Sequence, residues 1–204
     1  MDDILVDIHT HHPRAGVLSP TMAGIHPWDA ELGLPLPDFS TVEVIGEIGL
    51  DYACKVDRET QARLFCDQLK IAEKLRKPVV LHTVKSFEQV MNILTKYVLE
   101  SVVFHGFIGS KEQAKRATDK GYYLSFGYRS LCSPRTRHAI AATPLDRLFV
   151  ESDDDPNTDL KRLSLEIAEI KSVSERELRV QINENYKKLF KLQWLHGSNE
   201  PNYS

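Results

Sequence analysis

Val42-Glu43-Val44-Ile45-Gly46-Glu47-Ile48-Gly49-Leu50-Asp51-Tyr52 is a strand with a contradiction inside it. Val42, Val44, Ile45, Ile48 and Leu50 are the residues of a buried strand, yet Glu47 sits among them and Asp51 closes the run. A carboxylate on an apolar strand is costly unless it is paired, hydrogen-bonded or bound to a cation. Gly46 and Gly49 beside it allow another backbone or a ligand to approach closely. Glu47 therefore requires partners from elsewhere in the chain.

Candidates stand at the ends of other apolar runs. Pro78-Val79-Val80-Leu81-His82 and Val102-Val103-Phe104-His105 each end in histidine, and Leu148-Phe149-Val150-Glu151-Ser152-Asp153 ends in acid. Upstream, Ile4 to Ile8 read as an opening strand running into His9-Thr10-His11-His12. Side chains at i and i+2 of a strand share a face, so Asp7, His9 and His11 point the same way. Two imidazoles and a carboxylate at a strand end suit a metal ion. Residues 21–28 read as a second short strand closed by His26-Pro27, because proline pushes the residue before it toward extended geometry.

Helical patterns alternate with these runs. Residues 58–76 carry an apolar stripe of Ala62, Leu64, Phe65, Leu69, Ala72 and Leu75, and further helices are expected near 86–98, 111–120, 134–142, 159–171 and 174–190. Ser110 is placed to cap the third of these helical segments and Gly121 to stop it. Residues 122–127 form another strand, while Gly33, Pro35 and Pro37 exclude a long helix over 29–40. Strand and helix in alternation mean parallel βα units, with the sheet covered on both faces.

Two architectures have that alternation, and the polar strand ends choose between them. An open sheet spreads His9, His11, Glu47, His82, His105 and Asp153 along an edge. A closed TIM-type (β/α) barrel of parallel strands brings the C-terminal ends of its strands to one mouth. One shared site selects the barrel, as a single domain over residues 1–190 followed by a polar tail over 191–204. Four histidines and two carboxylates exceed the protein ligands of a single zinc ion. Two divalent ions with Glu47 between them would use the whole set. Histidine ligands favour zinc or manganese, and magnesium remains open.

Composition bounds the partners. The 204 residues carry a net charge of −3 with 42% hydrophobic and 27% charged content, which argues against a broad nucleic-acid-binding surface. No apolar run reaches membrane-spanning length, and Met1-Asp2-Asp3 is acidic where a signal peptide is basic. Cys54, Cys66 and Cys132 form no CxxC pair, so the expectation is a cytoplasmic protein without a disulfide framework.

The sequence resembles the TatD-like family of metal-dependent hydrolases and deoxyribonucleases. The resemblance rests on Asp7-Ile8-His9-Thr10-His11, Gly24-Ile25-His26-Pro27, Gly46-Glu47-Ile48-Gly49-Leu50-Asp51-Tyr52, Pro78-Val79-Val80-Leu81-His82, His105-Gly106-Phe107-Ile108-Gly109-Ser110 and Glu151-Ser152-Asp153. Gln61-x-x-x-Phe65 and Asn185-x-x-x-Leu189-Phe190 also fit, and the match spans roughly residues 4 to 190 in order. It implies a barrel holding two divalent cations: His9, His11 and Asp153 on one, His82 and His105 on the other, Glu47 bridging. It also implies cleavage of phosphodiester bonds, with single-stranded DNA or DNA 3′ ends as substrate.

The chain departs from the family pattern at three places. Only Pro13 to Ala23 separate the first histidine pair from Gly24-Ile25-His26-Pro27, so the barrel is expected to lack about one βα unit near the N-terminus, with fewer strands or a gap. Val84 stands where the family often has an arginine, leaving the adjacent Lys85 as the candidate phosphate contact. Asp153-Asp154-Asp155 adds negative charge at the mouth.

The resulting expectation is an enzyme that hydrolyses phosphodiesters with a metal-activated water. Asp153 is the general-base candidate, Glu47 sets the metal spacing, and His26 and Asp51 orient ligands by hydrogen bonds. Two other readings are a hydrolase of a small non-nucleic substrate and a degenerate, non-catalytic barrel acting as a binding protein.

Overall fold

The computed structural model describes residues 4–191. The expected polar tail, including Trp194, lies outside the described residues apart from Lys191. The chain runs β1 (Leu5–Val6), β2 (Val17–Leu18), β3 (Met22–Ala23), β4 (Val44–Asp51), α1 (Arg58–Leu75), β5 (Val79–Val84), α2 (Phe87–Leu94), β6 (Val102–Phe104), α3 (Lys111–Asp119), β7 (Tyr123–Phe126), α4 (Tyr128–Leu131), α5 (Pro134–Ala142), β8 (Leu148–Val150), α6 (Leu160–Lys171) and α7 (Glu175–Leu189). β3 through β8 pair in chain order and in parallel, and β1 pairs in parallel with β2.

Two observations turn these ladders into a TIM-type barrel. Residues 17–23 act as one stave: Val17 and Leu18 pair with β1, while Met22 and Ala23 pair with Val44 and Ile45 of β4. On the other side β1 continues onto β8. Ile8 N–H donates to the Val150 carbonyl (3.2 Å), Asp153 N–H to that of His9 (3.1 Å), and His11 N–H to that of Asp153 (2.9 Å). With β2 and β3 counted as one stave, the ring has seven. The missing βα unit is thus absorbed without a gap, because the segment 17–23 pairs with β1 at its start and with β4 at its end.

Local chemistry sets the boundaries. α1 starts where Asp57 accepts from Thr60 N–H (2.7 Å), and α3 where Ser110 and Gln113 form a reciprocal capping box. α7 lies across β1 and β8, and its buried asparagines hold the far end of the seam. Asn183 donates to the Ile4 carbonyl (2.9 Å), and Asn185 to those of Leu145 (2.8 Å) and Leu148 (2.9 Å).

Several elements differ from the pattern-based expectation. The opening strand pairs regularly only at Leu5–Val6, and β2 lies in what reads as a plain connection. α2 stops at Leu94, and the short α4 has no periodicity to announce it. The buried stripe of α1 is also rotated. Leu75 is 38% exposed, while Gln61 and Gln68 are fully buried beside Phe65, Leu69 and Ala72. Both glutamines face inward because their amides satisfy the backbone at strand ends, a use that an apolar pattern does not reveal. Among the described residues, no helix is long and apolar enough to cross a membrane.

Candidate metal centre

Glu47 reaches the barrel mouth through an irregularity in β4. The register between β4 and β5 steps from Ile45↔Val79 to Ile48↔Leu81, so three residues of β4 span two of β5. Such a bulge re-aims a side chain. It needs close backbone approach: a Cβ on Gly46 would lie 2.9 Å from the Val80 carbonyl oxygen, and one on Gly49 (φ +145°) would run into the His82 carbonyl. The glycines around Glu47 are therefore the geometric condition for its position.

The two oxygens of Glu47 face different neighbours. Oε2 lies 3.4 Å from His9 Nε2 and 3.6 Å from His11 Nε2. Oε1 lies 2.9 Å from His82 Nδ1, 3.8 Å from His26 Nε2, and within hydrogen-bond distance of His105 Nε2. Asp153 Oδ1 completes the first side, 3.4 Å from His9 Nε2 and 3.7 Å from His11 Nε2. Asp153 sits there with a left-handed backbone (φ 54°), just past the seam where its N–H and carbonyl bond to His9 and His11.

Behind this ring stand the groups that orient it. His105 Nδ1 faces the buried Glu151 Oε1 at 3.3 Å, which turns Nε2 toward Glu47. His82 Nε2 faces Asp51 Oδ2 at 3.2 Å, which turns Nδ1 toward Glu47. A carboxylate behind an imidazole fixes its tautomer and raises its basicity as a ligand. Asp51 is itself held by Trp28 Nε1–H (2.7 Å), by Ala53 N–H (2.7 Å), and by Gln61, which accepts from Asp51 N–H and donates to its carbonyl. Gln68 does the same for Ile25, accepting from its N–H (2.7 Å) and donating to its carbonyl (3.0 Å), beside His26.

Electrostatics divides the imidazoles. Burial pulls His9 down, but the carboxylates of Asp153 and Glu47, each 3.4 Å from Nε2, outweigh it and take His9 up to about 9. Burial opposes the charge on His105 too, and Glu151 and Glu47 reverse that, holding it well above the ordinary histidine range. Burial and the neighbouring His82 lower His26 to about 4. Desolvation pushes the carboxyls of Glu47, Asp153 and Asp51 up. The bonds from His105 and His82 to Glu47, the nearby His9 imidazole beside both Glu47 and Asp153, and the bonds from Trp28, Ala53 and His82 to Asp51 prevail, so all three lie below the usual carboxylate range. The ionised carboxylates thus favour protons on His9 and His105.

The donor set suits cations better than protons. His9 Nε2 is buried, with two carboxylates at 3.4 Å and no aligned hydrogen-bond partner among the described residues. His82 Nδ1 and His105 Nε2 lie 3.2 Å apart, both turned to the same carboxylate oxygen. Three groups have ligand atoms mutually within 4.8 Å: His9, His11 and Glu47; His9, His105 and Asp153; His26, Glu47 and His82. Imidazole nitrogens and carboxylate oxygens in this number suit zinc or manganese.

The six residues expected at the mouth are all brought together, with His26 and Asp51 against them. Asp7 is not: its carboxylate accepts from Ser152 N–H and Oγ–H, away from the imidazoles. Lys85, left-handed at φ 52°, lines a groove of about 490 Å³ with Tyr52, Thr83, Phe107, Arg135 and His105, beside the centre and not within it. Glu151 enters the sequence-based expectation only as part of a matching motif, and Trp28 and Arg129 have no role in it. Arg129 lines a cavity of about 400 Å³ with His82, His105, Tyr128 and Asp153 and pairs with Asp154 at 3.2 Å. An acid directly after β8 and next to Ser152-Asp153 is a visible signal for Glu151; nothing local marks Arg129.

The comparisons agree with this picture. A family model described as "TatD related DNase" matches residues 14–191, which begins just after His9 and His11. An uncharacterized metal-dependent hydrolase of Bacillus subtilis, YabD, is 30% identical over 171 residues, covering 74% of this chain and 66% of that protein. A protein of Shigella flexneri named 3′-5′ ssDNA/RNA exonuclease TatD is 29% identical over 147 residues, covering 64% of this chain and 56% of its own length. The chain thus spans less than two thirds of either relative. The crystal structure of the Escherichia coli TatD homologue YjjV superposes with a TM-score of 0.77 at 22% identity, covering 95% of this chain and all of that one.

Proposed function

Because the chain belongs to the TatD-related DNase family, we propose that it is a divalent-metal-dependent hydrolase of phosphodiester bonds. Its substrate in this reading is single-stranded DNA, taken at a 3′ end. The observation that carries the proposal is the division of Glu47, with one oxygen facing His9 and His11 and the other facing His82 and His105.

His9, His11 and Asp153 would hold one cation, His82 and His105 the second, with Glu47 shared. Bound there, divalent ions supply Lewis acidity to the phosphoryl oxygens and stabilise the charge that develops on the leaving oxygen. Asp153 is held below the usual carboxylate range; its Oδ1 faces His9 and His11 and its Oδ2 faces Arg129 (4.0 Å), so Oδ2 is the oxygen that would orient the attacking water and accept its proton. Glu151 and Asp51 keep His105 and His82 in their tautomers, and His26 packs edge-on against His82 with its ring centroid at 4.3 Å. Lys85 carries no hydrogen bond or ion pair among the described residues and faces the groove that reaches His105, where it can contact a flanking phosphate as a point charge.

A small phosphodiester is the second reading, favoured by the acidic rim: Asp154 is exposed beside the cavity and engages Arg129. A 3′-labelled single-stranded oligonucleotide and a chromogenic phosphodiester, assayed side by side with and without manganese or magnesium, separate the two. Metal-dependent cleavage of both, lost in His9→Ala and Asp153→Ala, is expected. Cleavage of the small ester alone would sink the nuclease reading, and activity that persists in chelator would sink both.

A further inference from the structure

Trp28 stands at the rim of this centre with 58% of its surface exposed. Single exposed apolar residues are ordinary; what sets this one apart is how firmly it is held and where. Its indole Nε1–H donates to Asp51 Oδ2 at 2.7 Å, and Asp51 also holds His82. Its backbone N–H donates to His26 Nδ1 at 3.2 Å. The imidazoles of His26 and His82 meet the indole in T-shaped contacts, with centroids at 4.6 and 5.9 Å. The ring is thus fixed on three sides by the residues around Glu47, and what remains open is apolar and faces solvent. An orientation paid for in this way, beside a phosphate-handling centre, fits a planar ring joined to that phosphate: aromatic faces hold bases of single strands by stacking, whatever the sequence.

We propose that Trp28 is a binding platform on which the nucleobase next to the scissile phosphate stacks. The proposal rests on the phosphodiesterase reading and assigns that site an aromatic, nucleotide-type substrate. It also gives Asp51 a second use, since the same carboxylate oxygen that orients His82 holds the platform in register with it.

The chain has two tryptophans, so Trp194→Phe leaves Trp28 as the sole indole reporter. With magnesium present, this protein is titrated with 2′-deoxyadenosine 5′-monophosphate and, in parallel, with 2-deoxyribose 5-phosphate. Saturable quenching by the nucleotide and none by the sugar phosphate is expected. Trp28→Leu should raise KM for a single-stranded oligonucleotide by about tenfold or more, with the loss on KM and not on kcat. Trp28→Phe, which keeps a ring but loses the bond to Asp51, should recover most of that KM. Equal responses to the two ligands, no response to either, or a KM in Trp28→Leu within twofold of the parent overturn the platform. Should Trp28→Leu fail to fold, Trp28→Phe and the titration decide. Nucleotide quenching in a protein that cleaves no phosphodiester would support the platform and remove the activity reading.

Discussion

The carboxylate of Asp7 accepts both the backbone N–H of Ser152, at 2.9 Å, and its hydroxyl, at 2.6 Å, across 145 residues of sequence. This pair closes the barrel. It joins the end of the first strand to the end of the last, immediately beside His9 and Asp153, and Ser152 Oγ also reaches Thr10 Oγ1 at 2.8 Å. The carboxylate that looks like a third ligand beside His9 and His11 is thus spent on the seam that positions them.

Asp7→Ala strips acceptors from two buried donors of Ser152, and an unsatisfied buried group costs about 1–3 kcal/mol. A loss of that size is expected in urea unfolding at neutral pH. Activity should fall further than stability explains, because Asp153 is the next residue and its backbone shares the seam. Wild-type stability in Asp7→Ala would contradict this role.

Gln68 holds Ile25 at both backbone groups and is wholly buried. Gln68→Leu keeps the volume and removes both bonds, leaving a buried N–H and C=O unpaired. We expect destabilisation of about 1–3 kcal/mol in chemical denaturation, against less than 0.5 kcal/mol for a substitution at an exposed site such as Glu59.

Glu151→Gln replaces an acceptor behind His105 by an amide that can present the wrong group to Nδ1. Loss of such a partner typically lowers metal affinity or activity 10–100-fold. Metal titration of the purified variant reads this directly; an affinity within twofold of the parent would show that Glu151 does not orient His105.

Protonation of the metal-free protein has a definite sign. His9 rises from the ordinary 6.5 to about 9 in the fold, because the carboxylates of Asp153 and Glu47 beside its Nε2 outweigh its burial. The folded state therefore holds this proton more tightly than the unfolded chain. The stability it confers is complete below about 6.5 and is lost as pH rises through about 9. Thermal melting of chelator-treated protein should show a falling midpoint across that window. Cations compete for the same nitrogens, so their addition should release protons and flatten the decline. A midpoint that rises with pH in the metal-free protein would contradict the assignment.

Much of this architecture is written in the chain, and the reasons it is legible differ from residue to residue. His82, His105 and Asp153 each follow an apolar strand run, His82 still within β5 and the other two just past β6 and β8, and strand direction fixes where such ends point, so their convergence followed from the barrel. Glu47 announced itself by the cost of an unpaired carboxylate. Trp28, Arg129 and Gln68 carry no periodic signal, because their positions depend on irregular connections or on backbone groups distant in sequence. The abbreviated N-terminal half was visible as a short spacing. How 17–23 serves two neighbours depends on hydrogen bonds, which spacing does not encode.

The central claim is that Glu47 stands between two cations. Anomalous diffraction from manganese-loaded crystals tests it most directly. Two peaks are predicted about 3.5–4 Å apart, one on the side of His9, His11 and Asp153 and one on the side of His82 and His105, with Glu47 bridging and both weakened in Glu47→Gln. A single peak, or two that survive Glu47→Gln at full strength, would contradict it.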